Sequence, residues 1–258
     1  MRGADLMVEV IGSHGPAFVW SHGILSSRYR EDDDALFNWR QVVAHHWRWV
    51  RYDSRGHGAS SGTTNVAAYS WGELGRDLMA LADALGIARF AGGGASAGCA
   101  AVIEAALAAP QRIDRLVLVT PPAAWDDRPA QVQRYESQLA QLRSQGSDTG
   151  KAAIAALARP PILADEPTLP PFAPGVPDEW VPAVLRGTAV SNLPSRERVS
   201  GLTQPALILA WDTDLAHPLS TAYQLAECLP RSELYVAQTA RQVMTWPPLV
   251  AGFLGWGA

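Results

Sequence analysis

The residues of this chain best suited to nucleophilic chemistry are Gly94-Ala95-Ser96-Ala97-Gly98, a serine held between two glycines in a G-x-S-x-G spacing. The motif gains meaning from its flanks, because a short apolar strand is predicted before it and an Ala-rich helix after it. A nucleophile on so tight a strand-to-helix turn has a crowded, strained backbone, and residues 92–98 are Gly, Ala and Ser only. The start of the following helix offers unpaired N–H groups and a favourable dipole to a developing oxyanion. A glycine-rich loop that binds phosphate or merely turns is the weaker reading in this context.

For Ser96 to stand at a strand end, the chain must supply a parallel sheet, and its pattern predicts one. Strands are expected at Leu6–Ile11, Ala17–Ser21, Trp49–Tyr52, Arg89–Gly92 and Arg115–Thr120, with helices at Trp71–Leu85 and Ala97–Ala109. The almost purely apolar Arg115–Thr120 run reads as a strand buried on both faces. The alternation breaks at Pro121. As far as Gly201 only helical segments are expected, at Gln131–Arg143, Ala152–Ala158 and Trp180–Arg186, around a Pro-rich patch from Arg159 to Pro182. Order resumes with strand Ala206–Trp211, helix Ser220–Cys228, strand Glu233–Ala237 and helix Pro247–Leu254. The expected class is therefore α/β, a mostly parallel central sheet with helices on both faces. Residues 1–121 and 202–258 form its core and residues 122–201 an inserted helical cap.

Composition narrows the function. A formal net charge of -4, 18% charged residues and no basic run argue against nucleic acid. The two cysteines, Cys99 and Cys228, lack the spacing of a disulfide framework or zinc site. Met1–Val10 carries no apolar stretch with a cleavage site, and no segment reaches membrane-spanning length, so a soluble cytoplasmic protein is expected. The acidic Glu31-Asp32-Asp33-Asp34 cluster lacks the glycine and terminal glutamate of a calcium loop and reads as a solvated loop. No metal and no cofactor are expected. The expected partner is a small-molecule substrate, with a homodimer left open.

Two further segments carry a resemblance. Ser21-His22-Gly23-Ile24 ends the second strand, and Tyr52-Asp53-Ser54-Arg55-Gly56-His57-Gly58-Ala59-Ser60 follows the third. With the serine motif they resemble the His-Gly segment and the D-x-R-G-x-G-x-S segment of the α/β-hydrolase superfamily, in its serine-nucleophile, esterase/lipase-like branch. The resemblance implies an oxyanion hole built from the backbone N–H groups of Ile24 and Ala97, and a structural turn at residues 53–60. It also implies an acid shortly after the strand that follows the cap, four residues before a proline, which is Asp214 in Trp211-Asp212-Thr213-Asp214-Leu215-Ala216-His217-Pro218. Asp212 reads as a turn brace, and Asp126 or Asp127 is a secondary position for the acid.

The chain departs from the family in one place. The usual base is a histidine in the loop after the last strand, here Gln238-Thr239-Ala240-Arg241-Gln242, and no histidine follows His217 anywhere. Three explanations compete. His217 reaches Ser96 from the acid's own loop, since triads are defined by geometry; His22 beside the oxyanion hole serves as base; or the pocket binds, or performs lyase or oxygenase chemistry, without a covalent intermediate. His14 reads as part of a surface turn, His45 and His46 lie between a helix and a strand, away from the C-terminal strand ends where ligands bind, and Cys99 reads as a small buried residue. Leu25, Trp125, Tyr135, Phe172 and Trp180, with His22 and Ile24, are candidates to line an apolar pocket. The leading function is cleavage of a small apolar ester, thioester or lactone through an acyl-enzyme on Ser96.

Overall fold

The computed structural model describes residues 2–34, 39, 47–158, 160–164, 166 and 173–255. In chain order its elements are β1 (Val8–Ile11), β2 (Ala17–Ser21), α1 (Arg28–Asp34), β3 (Arg48–Tyr52), α2 (Trp71–Ala84), β4 (Phe90–Ala95), α3 (Ala97–Ala108) and β5 (Ile113–Val119). There follow α4 (Arg128–Ala158), α5 (Val181–Ala189), α6 (Arg196–Ser200), β6 (Ala206–Trp211), α7 (Leu219–Cys228), β7 (Ser232–Ala237), α8 (Ala240–Val243) and α9 (Trp246–Leu254). The strands form one seven-stranded sheet in the order β1-β3-β2-β4-β5-β6-β7. Only the β1–β3 pairing is antiparallel.

Both phases of the strand alternation are apolar, and that decides the layering. In β5, Leu116 and Leu118 join one buried cluster while Val117 and Val119 join another; in β6, Ala206, Ile208 and Ala210 part from Leu207, Leu209 and Trp211 in the same way. Residues of α2, α3 and α7 complete the first cluster and residues of α8 and α9 the second. A sheet so covered on both faces is what near-continuous apolar strands require. In α2, Trp71, Leu74, Leu78 and Leu81 are buried, one stripe of the helix turned to the sheet.

The sequence reading differs from the structure in three places. β4 does not stop at Gly92 but runs through Gly93 and Gly94, which propensity assigns to a turn. Here they are packing residues: a Cβ on Gly93 would lie 2.6 Å from the Phe18 ring. The two helices expected within residues 131–158 are one helix of 31 residues, α4. Each internal glycine costs about 1 kcal/mol, less than nucleating a second helix. The acidic cluster lies not in a loop but in α1, where Glu31 accepts the Trp20 indole N–H at 2.9 Å and Asp32 pairs with the buried Arg51. His45, His46 and Phe172 lie outside the described residues.

Residues 122–201 run between β5 and β6 and include α4, α5 and α6. Tyr135, Leu139, Val181, Val184 and Leu185 of this segment form an apolar cluster with Leu25 and Tyr69 of the sheet-bearing part. Arg128 ties the start of α4 to the end of α5. Its buried guanidinium donates to the carbonyls of Ser191 at 2.6 Å, Ala123 at 3.2 Å and Thr188, and lies 4.4 Å from the Trp71 ring centroid. A cation at these C-terminal carbonyls also complements the helix dipole.

Candidate active site

β4 ends on Ala95 and α3 begins on Ala97, so Ser96 alone makes the turn, at φ 52 and ψ -118. A non-glycine residue there is strained by about 1–3 kcal/mol, which the surroundings must overcome. The Ser96 N–H donates to the Val119 carbonyl at 3.0 Å, and its carbonyl accepts from Cys99 N–H at 2.9 Å. The buried Cys99 thiol sits against the Gly94 and Val119 carbonyls at 3.1 and 3.2 Å, and burial pushes its pKa far up. A Cβ on Gly94 would stand 2.4 Å from the Gly98 backbone, and one on Gly98 would stand 2.0 Å from the Ser21 carbonyl oxygen. The glycines of the motif are thus demanded by contact between the turn and β2.

The loop after β6 carries the next two groups. His217 Nε2 lies 2.8 Å from Ser96 Oγ, and His217 Nδ1 lies 2.7 Å from Asp214 Oδ2. An ionised carboxylate accepts only, so Nδ1 carries the proton and Nε2 accepts from the serine hydroxyl. Asp214 Oδ1 accepts the Ala216 N–H at 2.8 Å, and Oδ2 also accepts the Trp211 indole N–H at 2.7 Å. Burial alone would raise the Asp214 carboxyl, but the electrostatic interaction with the adjacent His217 ring and the hydrogen bonds from His217, Trp211 and Ala216 outweigh it and hold the group below the usual carboxylate range. The loop is tied down from α4 by Arg134, which donates to the Leu215 carbonyl, and from the β5 end by Ala123 N–H on the Ala216 carbonyl at 3.0 Å.

The segment after β2 packs directly on the serine: a Cβ on Gly23 would lie 3.3 Å from Ser96 Cβ. Among the described residues no acceptor takes the backbone N–H of Ile24 or of Ala97. His22 is committed elsewhere, Nε2 accepting from Ser54 N–H at 2.9 Å and Nδ1 donating to the Gly23 carbonyl at 2.8 Å. His57 is committed likewise, to Leu25 N–H at 3.3 Å and the Arg55 carbonyl at 2.8 Å. The two rings lie 5.1 Å apart, both buried. Burial, joined by the neighbouring imidazole, pushes His57 down to about 3, and burial lowers His22 as well. Both are neutral braces of the loop. Asp53, wholly buried, accepts the N–H groups of Arg28 at 2.8 Å and Ala59 at 3.0 Å, which is a turn-forming role.

A cavity of about 10 Å³, the room of one water, lies beside these groups, with His22, Ile24, Tyr69, Ala97, Val184 and Thr188 in its wall. Leu25 and Trp180 belong to the apolar cluster above it, Leu25 at φ 62 and Trp180 against Gly62. Trp125 is placed apart from that cluster, its indole donating to the Pro194 carbonyl at 2.9 Å. Asp126 pairs with Arg196, Asp127 accepts from Ser220, and Asp212 accepts the Thr213 N–H at 2.7 Å, so these carboxylates serve turns and the surface. The loop after β7, where the family carries its histidine, is closed by a capping box between Thr239 and Gln242. Sequence reasoning missed Trp211 and Arg134; the only signal for Trp211 was its place three residues before Asp214. Among the described residues no group of three metal-ligating side chains occurs, and no helix is long and apolar enough to cross a membrane.

With strands, elbow and loops in this order, the profile of the α/β hydrolase fold matches residues 16–244. The chain belongs to the α/β-hydrolase fold family. It is 31% identical over 208 residues, 76% of this chain and 74% of the other, to a Caulobacter protein bearing the name carbamate hydrolase RutD. Among solved structures, a hydrolase from Pseudomonas aeruginosa matches with a TM-score of 0.80 at 23% identity, over 98% of this chain and 96% of that one. The enol-lactonase from Burkholderia xenovorans matches with a TM-score of 0.81 at 20% identity, over 98% and 97%.

Proposed function

We propose that the protein is a serine hydrolase that cleaves a small apolar ester, thioester or lactone through an acyl-enzyme on Ser96. The observation that carries this reading is the unbroken hydrogen-bond chain from Ser96 Oγ through His217 to Asp214. His217 Nε2 takes the hydroxyl proton as Oγ attacks the carbonyl carbon, and the imidazolium is stabilised by Asp214. The carbonyl oxygen becomes an oxyanion received by the Ile24 and Ala97 N–H groups. On collapse the bond to the leaving group breaks and the leaving group takes the proton from His217. Water then repeats the cycle on the acyl-enzyme and frees the acid.

The segment 122–201 serves as a cap, presenting Val184 and Thr188 to the cavity beside Ala97. The relative's name adds a carbamate as a candidate, since it too offers a carbonyl to the same donors. The imidazole beside Ser96 supports the hydrolytic reading over a binding-only or non-hydrolytic protein. The test is intact-mass labelling by a fluorophosphonate probe. One probe mass on the native chain and none on Ser96→Ala is expected; an unlabelled native chain overturns the reading.

A further inference from the structure

In the family pattern acid and base stand on two loops, each anchored by its own strand; here Asp214 and His217 lie three residues apart on one loop. Such a pair can swing as a unit, so its aim at Ser96 depends on a hold from outside the loop. The bonds from Ala216 N–H to Asp214 Oδ1 and from His217 N–H to the Asp214 carbonyl at 3.2 Å are internal to it. Arg134 and Ala123 hold the Leu215 and Ala216 carbonyls, not the reacting pair.

Trp211 joins the sheet to the carboxylate itself. It is the last residue of β6, fixed in register opposite Ala237 of β7, and buried. Its indole plane stacks on Trp246 of α9, centroids 5.7 Å apart at 18°, and stands edge-on to the His217 ring at 6.3 Å and 77°. The chain after β7 thus reaches the site through Trp246 and Trp211. We propose that Trp211 is a positioning residue, its indole N–H fixing the Asp214 carboxylate so that Oδ2 meets His217 Nδ1 and the imidazole stays aimed at Ser96.

The donor has an electrostatic consequence as well. A carboxylate oxygen shared between two donors at 2.7 Å gives each less of its charge. Removing the indole N–H leaves more of that charge to stabilise the imidazolium formed in the reaction. Among the described residues, Arg134 of α4 reaches this loop at the Leu215 carbonyl, and Asp127 bonds Ser220 in α7, just beyond the loop. Asp212, on the loop itself, bonds Thr213.

This inference rests on the serine-hydrolase reading, and the test separates the two. Trp211 is replaced by Phe and by the benzothienyl analogue of Trp, which keeps the ring's shape but has no N–H. Ester turnover is followed across pH beside Ser96→Ala and His217→Ala. The expected result for both Trp211 variants is a fall of on the order of tenfold in kcat, KM within about twofold, and an acid limb displaced to higher pH. Native kcat and an unmoved acid limb in the benzothienyl protein overturn the positioning role, as does a fall in kcat with no displacement, which marks a merely structural one. If Ser96→Ala and His217→Ala also turn over at the native rate, the underlying hydrolase reading fails as well.

Discussion

Replacing His217 by Ala tests the site at its most unusual point. In the native protein the imidazole stands 2.8 Å from Ser96 Oγ and is the only described ring bonded to it. His22 and His57 cannot take over, since each has both nitrogens bonded. The serine hydroxyl of the variant is therefore left near its ordinary, unreactive state. Loss of the base from such a triad costs about 10⁴–10⁶ in kcat, which is about 5–8 kcal/mol of transition-state stabilisation at ~1.4 kcal/mol per tenfold. The backbone donors and the elbow are untouched, so a residual rate above that in water is expected, with KM little changed. The side chain is 19% exposed, which gives a small imidazole in solution a route into the gap. Partial rescue, saturating with imidazole concentration, is expected. The assay is initial-rate hydrolysis of short p-nitrophenyl esters, with circular dichroism melts to show that the fold persists. A fall of less than about tenfold in kcat, in a folded variant, refutes the assignment of His217 as base.

Three further outcomes follow from the same geometry. Ser96→Gly should abolish turnover yet raise stability by about 1 kcal/mol, because glycine relieves the strain at φ 52 at a smaller cost in unfolded-chain entropy; thermal melts check it. Gly98→Ala should destabilise by about 3 kcal/mol or prevent folding, since its Cβ would stand 2.0 Å from the Ser21 carbonyl oxygen; urea unfolding measures it. Stability should fall as pH drops below about 6.5, where unfolded histidines take up protons that the buried His57, with its pKa of about 3, refuses. Its folded pKa is lowered, so the stabilisation is complete above 6.5 and is lost towards about 3, reaching about 2 kcal/mol at pH 5 for His57 alone. His57→Gln should flatten the urea midpoint between pH 7 and pH 5.

The sequence by itself determined the features that local patterns encode. Strands apolar at both phases imply a sheet covered on both faces, and small residues around Ser96 imply a strand-to-helix turn, because both follow from neighbours a few residues apart. The departure at residues 238–242 was equally plain, since an absent residue type needs no fold to be noticed. Where glycines were ambiguous the local reading faltered: Gly93 and Gly94 lie in β4 because the rings of β2 and the backbone of α3 press on them, not because of their propensity. Only the tertiary structure decided how His217 sits, 121 residues from Ser96 along the chain and one hydrogen bond away in space. That distance depends on β4 and β6 flanking β5 in register, and on a short loop held at Leu215, Ala216 and Asp214 by α4, the β5 end and Trp211. Such placement sums many long-range contacts and leaves no period in the sequence, so the sequence left three explanations for the base open.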